Sequence, residues 1–179
     1  MRKKHFLAVA LTVALALGAC SASYKRVETG GAERAAVHLD KSRSVLVAVP
    51  ADGAYGNKHY AGSGQSVAQQ TAAAFSRHAP RVDTAPAGML DRTTLLEDAR
   101  KLGDGYLVVP VISHWERRTT EWSGRPSRAA VGLSVIDVPS GQQVTSSLLE
   151  SRSRIMTLTS TSPDSLLRHM IGDYVDSLY

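Results

Sequence analysis

The chain has 179 residues, 43% of them hydrophobic, with 21 Lys+Arg against 16 Asp+Glu and a formal charge of +5. That length suits one domain and is enough to bury a real core. A single cysteine excludes an internal disulfide framework, and so small a basic excess is a poor electrostatic footprint for nucleic acid.

Arg2, Lys3 and Lys4 form a basic head, and residues 6–17 are an apolar run broken only by Thr12. A membrane-spanning helix needs about 20 apolar residues, whereas the core of a secretory signal peptide takes roughly 7–15. The run falls in the second range. A buried amino-terminal helix would carry a polar face, and this run has none. Leu17-Gly18-Ala19-Cys20 resembles a bacterial lipobox. The resemblance implies cleavage between Ala19 and Cys20, a diacylglyceryl group on the Cys20 thiol, and often a further acyl chain such as palmitate on the new amine. Two or more acyl chains anchor stably, at about 0.8 kcal/mol per buried CH₂. Ser21 in place of aspartate implies, by the same resemblance, transfer to the outer membrane with the domain facing the periplasm. Loss of residues 1–19 leaves 160 residues and removes Arg2, Lys3 and Lys4, so the charge falls to near +2. No nucleic-acid partner is therefore expected, and lipidation accounts for the cysteine.

Residues 20–43, after the signal of residues 1–19, read as the lipidated cysteine and a tether, being polar with Gly30-Gly31 and no sustained period. A flexible stretch of this length spans roughly 25 Å. Residues 44–179 read as a periplasmic α/β domain. Residues 44–50 (SVLVAVP) form a short buried strand closed by Pro50. A glycine-rich loop follows, and Ser63 or Ser66 is positioned to cap the next helix. Val67, Thr71, Ala74 and Phe75 give that helix one apolar stripe, and it ends near Arg77 and His78, before Pro80. Residues 81–84 suit a short strand. Asp91 or Thr93 starts a second helix with Leu95, Ala99 and Leu102 inward and Gly103 closing it. Residues 106–115 (YLVVPVISHW) are a long strand in which Pro110 requires an unpaired side or a bulge. Residues 129–138 and 144–155, joined by Pro139-Ser140-Gly141, make a β-hairpin. Ser162 and Pro163 start a last helix whose apolar face is Leu166, Leu167, Met170, Ile171, Tyr174, Val175 and Leu178. The order β-α-β-α-β-β-β-α predicts a single mixed sheet, parallel where helices intervene and an antiparallel meander afterwards, with helices packed against it.

The order, with YLVVP and VIDVPSGQQV at their places, loosely resembles periplasmic α/β domains such as the amino-terminal domain of the Tol–Pal translocation protein. More extensively, VAVPADGAYG, YAGSG, AAAFSR, YLVVP, HWERR, TEWSGRP and VIDVPSG resemble a family of small Gram-negative lipoproteins known as a domain of unknown function. The resemblance implies a lipoprotein and carries no activity, so it transfers no catalytic residue.

If the strands at 44–50 and 106–115 are parallel, the loops after them leave the sheet at its carboxyl edge, where ligands bind in open α/β sheets. Those loops offer Tyr55, Asn57, Lys58, His59, Tyr60, Ser63, Trp115, Arg117, Arg118, Trp122 and Arg125. Aromatics and arginine dominate binding hot spots, so the group reads as a recognition patch for an envelope protein or an anionic envelope component. The competing reading is that Trp115 and Trp122 pack the loops down while the charges stay solvated. Gly62-Ser63-Gly64 before a helix could hold an anion on its backbone N–H groups, or be a tight turn with a serine cap. It lacks the Lys-Ser/Thr of a P-loop and the first glycine of a nucleophile elbow. His114 and Glu116 share a strand face, but two ligands do not make a structural zinc site. No cofactor, metal or catalytic residue is expected. The function read from the chain is a non-enzymatic binding or assembly module, lipid-anchored at the outer membrane. The alternative is a lipid-anchored envelope hydrolase or transferase using the Ser63 loop.

Overall fold

The computed structural model describes residues 23–28 (backbone), 37–116, 127–152 and 163–179. Among the described residues eight strands and three helices follow one another: β1 (Ser23–Glu28), β2 (Val45–Val47), β3 (Ala54–Tyr55), β4 (Lys58–His59), α1 (Ser63–Phe75), β5 (Val82–Thr84), α2 (Arg92–Leu102), β6 (Tyr106–Glu116), β7 (Arg128–Asp137), β8 (Gln143–Arg152) and α3 (Pro163–Asp176). Six strands form one mixed sheet in the order β1-β8-β7-β6-β2-β5, and β3 and β4 form a separate small hairpin. β2 runs parallel to both β5 and β6, and β6, β7, β8 and β1 are antiparallel neighbours. The expected mixed α/β sheet, parallel across the helical connections and meandering after them, is the fold.

The alternation of side chains sorts the sheet into two faces. On one, Val45 and Val47, Tyr106 and Val108, Val131, Leu133 and Val135, and Leu149 meet α1 through Val67, Ala68 and Phe75 and α3 through Leu167, Ile171, Tyr174 and Val175. On the other, Leu46, Ala48, Leu107, Ile136 and Val138 meet α2 through Leu95 and Ala99. Leu102, expected on that buried face, is 49% exposed. It is the last helical residue before the left-handed Gly103 cap. α2 thus holds on by few large side chains, each worth about 1.5–3 kcal/mol when fully buried.

Several local expectations are corrected. Within the stretch expected as tether, Ser23–Glu28 pairs with β8 over six residues, Leu39 is buried, and the Leu39 N–H donates to the Leu178 carbonyl at 2.7 Å. The outer N–H and C=O groups of β8 need partners, and an extended segment supplies them whatever its polarity. α1 stops at Phe75, short of Arg77. Neither Ser63 nor Ser66 caps it: Gly62 is its N-cap and no cap side chain bonds there, while the Ser66 hydroxyl donates to Asp164 at 2.6 Å and ties α1 to α3. The last strand is described over Gln143–Arg152, and residues 153–155 and Ser162 lie outside the described residues.

Pro110 sits opposite Leu133 in an intact β6–β7 register. The β2 partner ends at Val108, so among the described residues no strand pairs with the other side of β6 at Pro110, and the register shifts between Ile112 and His114. Of the two alternatives expected at the proline, the open side is the one found there, and the bulge lies further along the strand. At the other end of the sheet, the Arg43 guanidinium pairs with Asp137 at 2.7 Å, donates to the Gly105 carbonyl and lies 4.1 Å over the Tyr106 ring. That clasp ties the start of β2 to the start of β6 and the end of β7.

Candidate functional site

Because β2 and β6 are parallel, the segments that follow them leave the same edge. The chain after β2 uses the space beside β6 that β2 vacates. Gly53 lies against Trp115: a Cβ added at Gly53 would stand 2.5 Å from the Trp115 Cβ and 3.0 Å from Ile112 Cγ2. Only a residue without a side chain permits that approach. The β3–β4 hairpin then projects from the edge, turning at Gly56 and Asn57, and is closed by the Tyr60 N–H donating to the Gly53 carbonyl at 3.0 Å. The Tyr55 ring meets the His114 ring edge-on with centroids 5.1 Å apart, so the hairpin is fixed to β6 on both sides.

The expected patch residues divide by environment. Tyr55 is 44% exposed, and Asn57, Lys58 and His59 are exposed beside it, with Tyr60 half-buried. Lys58 Nζ stands 5.2 Å over the Tyr60 ring, a spacing at which a cation is attracted to the ring face. Trp115, by contrast, is only 3% exposed and belongs to the core: for this residue the packing reading holds. Arg117, Arg118, Trp122 and Arg125 lie outside the described residues, as do Ala19 and Cys20.

The Gly62-Ser63-Gly64 turn is occupied from within the chain. One Asp52 carboxylate oxygen accepts the Gly64 N–H at 2.8 Å and the other the Gly62 N–H at 3.1 Å. A carboxylate at a helix amino terminus meets unpaired N–H groups and a favourable dipole. These bonds, that from Gly64 foremost, hold the Asp52 carboxyl below its usual range. An external anion would have to displace Asp52. Ser63 is buried and its hydroxyl accepts the Gly53 N–H at 2.8 Å, so its oxygen braces the loop. A serine nucleophile needs an adjacent base, and the hydrogen-bonding partners found for Ser63 Oγ are Gly53 and, at 3.5 Å, Asp52. His78, rather than standing near Ser63, contacts Asp176 at 2.7 Å and stacks on Tyr179.

His114 Nε2 lies 3.4 Å from Glu116 Oε2, both on one face. Among the described residues no group of three or more His, Cys, Asp or Glu could hold a metal ion. Asp137 acts as a turn residue, accepting from the Ser140 hydroxyl and N–H. Two positions that organise the site escaped the sequence reading. Asp52 and Gly53 act on partners 10 or more residues away. The one local signal is an acid and a glycine placed between a strand-ending proline and a glycine-flanked helix start.

Fold and site together define a class: a small mixed-sheet α/β domain that presents an exposed hairpin at the carboxyl edge of its parallel strands. No helix among the described residues is long and apolar enough to cross a membrane. The chain belongs to the family described as Domain of unknown function (DUF4823), whose sequence profile matches residues 37–178. This agrees with the resemblance to an uncharacterised family. No curated protein matches by sequence. Among solved structures, the PelC dodecamer from Paraburkholderia phytofirmans is similar over 87% of this chain and 97% of its own, at 19% identity and a TM-score of 0.64. At that identity the likeness is one of fold. Lipoprotein GNA1162 from Neisseria meningitidis aligns over 75% of this chain and 94% of its own, at 15% identity and a TM-score of 0.44.

Proposed function

We propose that this chain is an outer-membrane lipoprotein, acylated on Cys20 after cleavage at Ala19, whose periplasmic domain is a non-enzymatic binding or assembly module for another envelope component. The observation that carries the reading is the β3–β4 hairpin. It stands exposed at the sheet edge, with Tyr55, Asn57, Lys58 and His59 outward, yet is seated on Gly53, Trp115 and His114. A presented but positioned loop loses little conformational freedom on binding. The buried, bonded Ser63 oxygen speaks against the hydrolase alternative. Acylation at Cys20 would leave two residues before β1, so about 10 Å of chain at most would separate that sheet edge from the lipid. The PelC structure is a dodecamer, and self-association is one form the assembly role takes in this proposal.

A photo-crosslinking residue placed at Asn57 in cells is expected to capture one envelope component or a second copy of the chain, in a manner lost in Tyr55→Ala and Lys58→Ala. Metabolic labelling with a palmitate analogue is expected to mark the wild type and not Cys20→Ser. Crosslinking unchanged by both hairpin substitutions would overturn the recognition role. Lipid still attached to Cys20→Ser would overturn the anchor.

A further inference from the structure

The sheet face that carries α2 is left uncovered by any described helix beyond Val109. Val111 there is 56% exposed, and Gly132, Ser134, Ser146 and Leu148 are half-buried. Past them the face dips into an open groove of about 250 Å³ whose polar lining is Ser113, His114, Arg128, Glu150, Ser151 and Arg152.

Register determines which charges meet in it. Arg128 on β7 stands directly opposite Arg152 on β8, with Glu116 across from Arg128 on β6 and Ser23 across from Arg152 on β1. One step along the same face, Ala130 lies between His114 and Glu150, and Lys25 of β1 is across from Glu150. Arg152 thus has an arginine on one side and a serine on the other. Both arginines are exposed, and neither has a side-chain hydrogen bond or ion pair among the described residues. Like charges directly opposite on a sheet are destabilising. Two guanidinium groups, each with five donors and no acceptor, match the planar fork of a carboxylate or phosphate. An anion between them turns the repulsion into two charge-assisted contacts. The Ser113 hydroxyl is already committed to the Ala130 carbonyl at 3.2 Å, so the donors come from the arginines. The groove has room for about eight water volumes, enough for an oxyanion and a sugar-sized body attached to it.

We propose that this groove is an oxyanion site in which Arg128 and Arg152 clamp one carboxylate or phosphate group, with Glu150 at its floor repelling a second negative charge. Tyr55 touches His114 at the rim, so the site adjoins the hairpin, but it stands on its own residues and not on the hairpin's role.

The test is calorimetric titration of the detergent-solubilised full chain at low ionic strength, where exposed charges are least screened. The probes are inorganic phosphate, glucuronate and, as the neutral control, glucose. The expected result is saturable binding of at least one oxyanion and none of glucose. Arg128→Gln and Arg152→Gln should each weaken it about tenfold or more. Glu150→Gln should tighten it, and Arg92→Gln, at the far end of the sheet where Arg92 bonds the Gly141 carbonyl, should leave it unchanged. Without ligand, Arg152→Gln should melt no lower than the wild type, since it relieves the repulsion from Arg128 and breaks no side-chain bond among the described residues. Preference for phosphate points to a phosphorylated headgroup as the source, preference for glucuronate to an acidic glycan. The proposal fails if neither oxyanion binds at tens of millimolar, or if the two arginine variants bind as the wild type does. It fails equally if Arg92→Gln weakens binding as they do. Because Lys58 contacts the Tyr60 ring and no residue lining the groove, Lys58→Ala separates failure of the hairpin proposal from failure of this one.

Discussion

Replacing Gly64 with alanine tests the claim that the start of α1 is a close-packed junction filled by Asp52 and not an open anion cradle. A Cβ at position 64 would stand 2.2 Å from the Pro50 carbonyl oxygen and 3.2 Å from Asp52 Oδ1. Ordinary contact begins at 3.4 Å, so the helix start must retreat by about 1.2 Å from a backbone oxygen that has little freedom to move. That displacement stretches the 2.8 Å bond from the Gly64 N–H to Asp52 beyond hydrogen-bonding range. Overpacking of this kind costs about 1–3 kcal/mol, and a lost hydrogen bond to a charged acceptor about 1.5–3 kcal/mol. Water reaches the largely exposed Asp52 and recovers part of the second loss, which leaves about 3 kcal/mol in total. With a urea dependence of roughly 2 kcal/mol/M, the unfolding midpoint should fall by about 1.5 M, followed by tryptophan emission. Gly62→Ala is the matched control. Gly62 has φ 83 and nothing within 4 Å of an added Cβ, so only its left-handed backbone is penalised, by about 1–2 kcal/mol. A Gly64→Ala protein within about 0.5 kcal/mol of the wild type, or one more stable than Gly62→Ala, would refute the packing argument.

Trp115→Ala should lose about 3–5 kcal/mol in urea unfolding followed by far-ultraviolet circular dichroism, as expected for truncating a buried aromatic, whereas a surface recognition residue would change stability by no more than about 0.5 kcal/mol. Acid sensitivity offers a second check. The Ser140 hydroxyl and N–H, with Arg43, hold the Asp137 carboxyl at about 2 against an ordinary 3.8. A carboxyl depressed in the folded state binds protons less readily there than in the unfolded chain, so its stabilisation is present above the unfolded value and is lost as pH falls through the folded one. The urea midpoint of the wild type should therefore drop between pH 4 and pH 2. Asp137→Asn should show a shallower drop across that window, and an unchanged slope would contradict the Arg43–Asp137–Ser140 arrangement.

What could be read in the sequence follows the range of the physics involved. Helical and strand periods, the Asp91 cap with its 2.8 Å bond from the Thr94 N–H, the Gly103 terminus and the 137–142 turn depend on neighbours within a few residues. These were legible from composition and spacing, the cap as one of two alternatives, Asp91 or Thr93. So was the parallel pairing of β2 with β6, because a helix between two strands demands a crossover. Contacts between remote segments were not. Asp52 reaches Gly62 and Gly64 only because the β3–β4 hairpin folds the loop back. Trp115 reads as a binding aromatic until Gly53 is seen lying on it. The polar Ser23–Glu28 segment carries no strand pattern and pairs because β8 has a free edge.

The sequence by itself determined the class of fold and the edge of the sheet from which the informative loops leave, since each rests on local period or local composition. The tertiary structure alone decided which residues of those loops are exposed, what fills the turn before α1, and that Arg128 faces Arg152. Those depend on strand register, in which a shift of one residue would move every side chain to the opposite face, and register is set by the packing of the whole sheet.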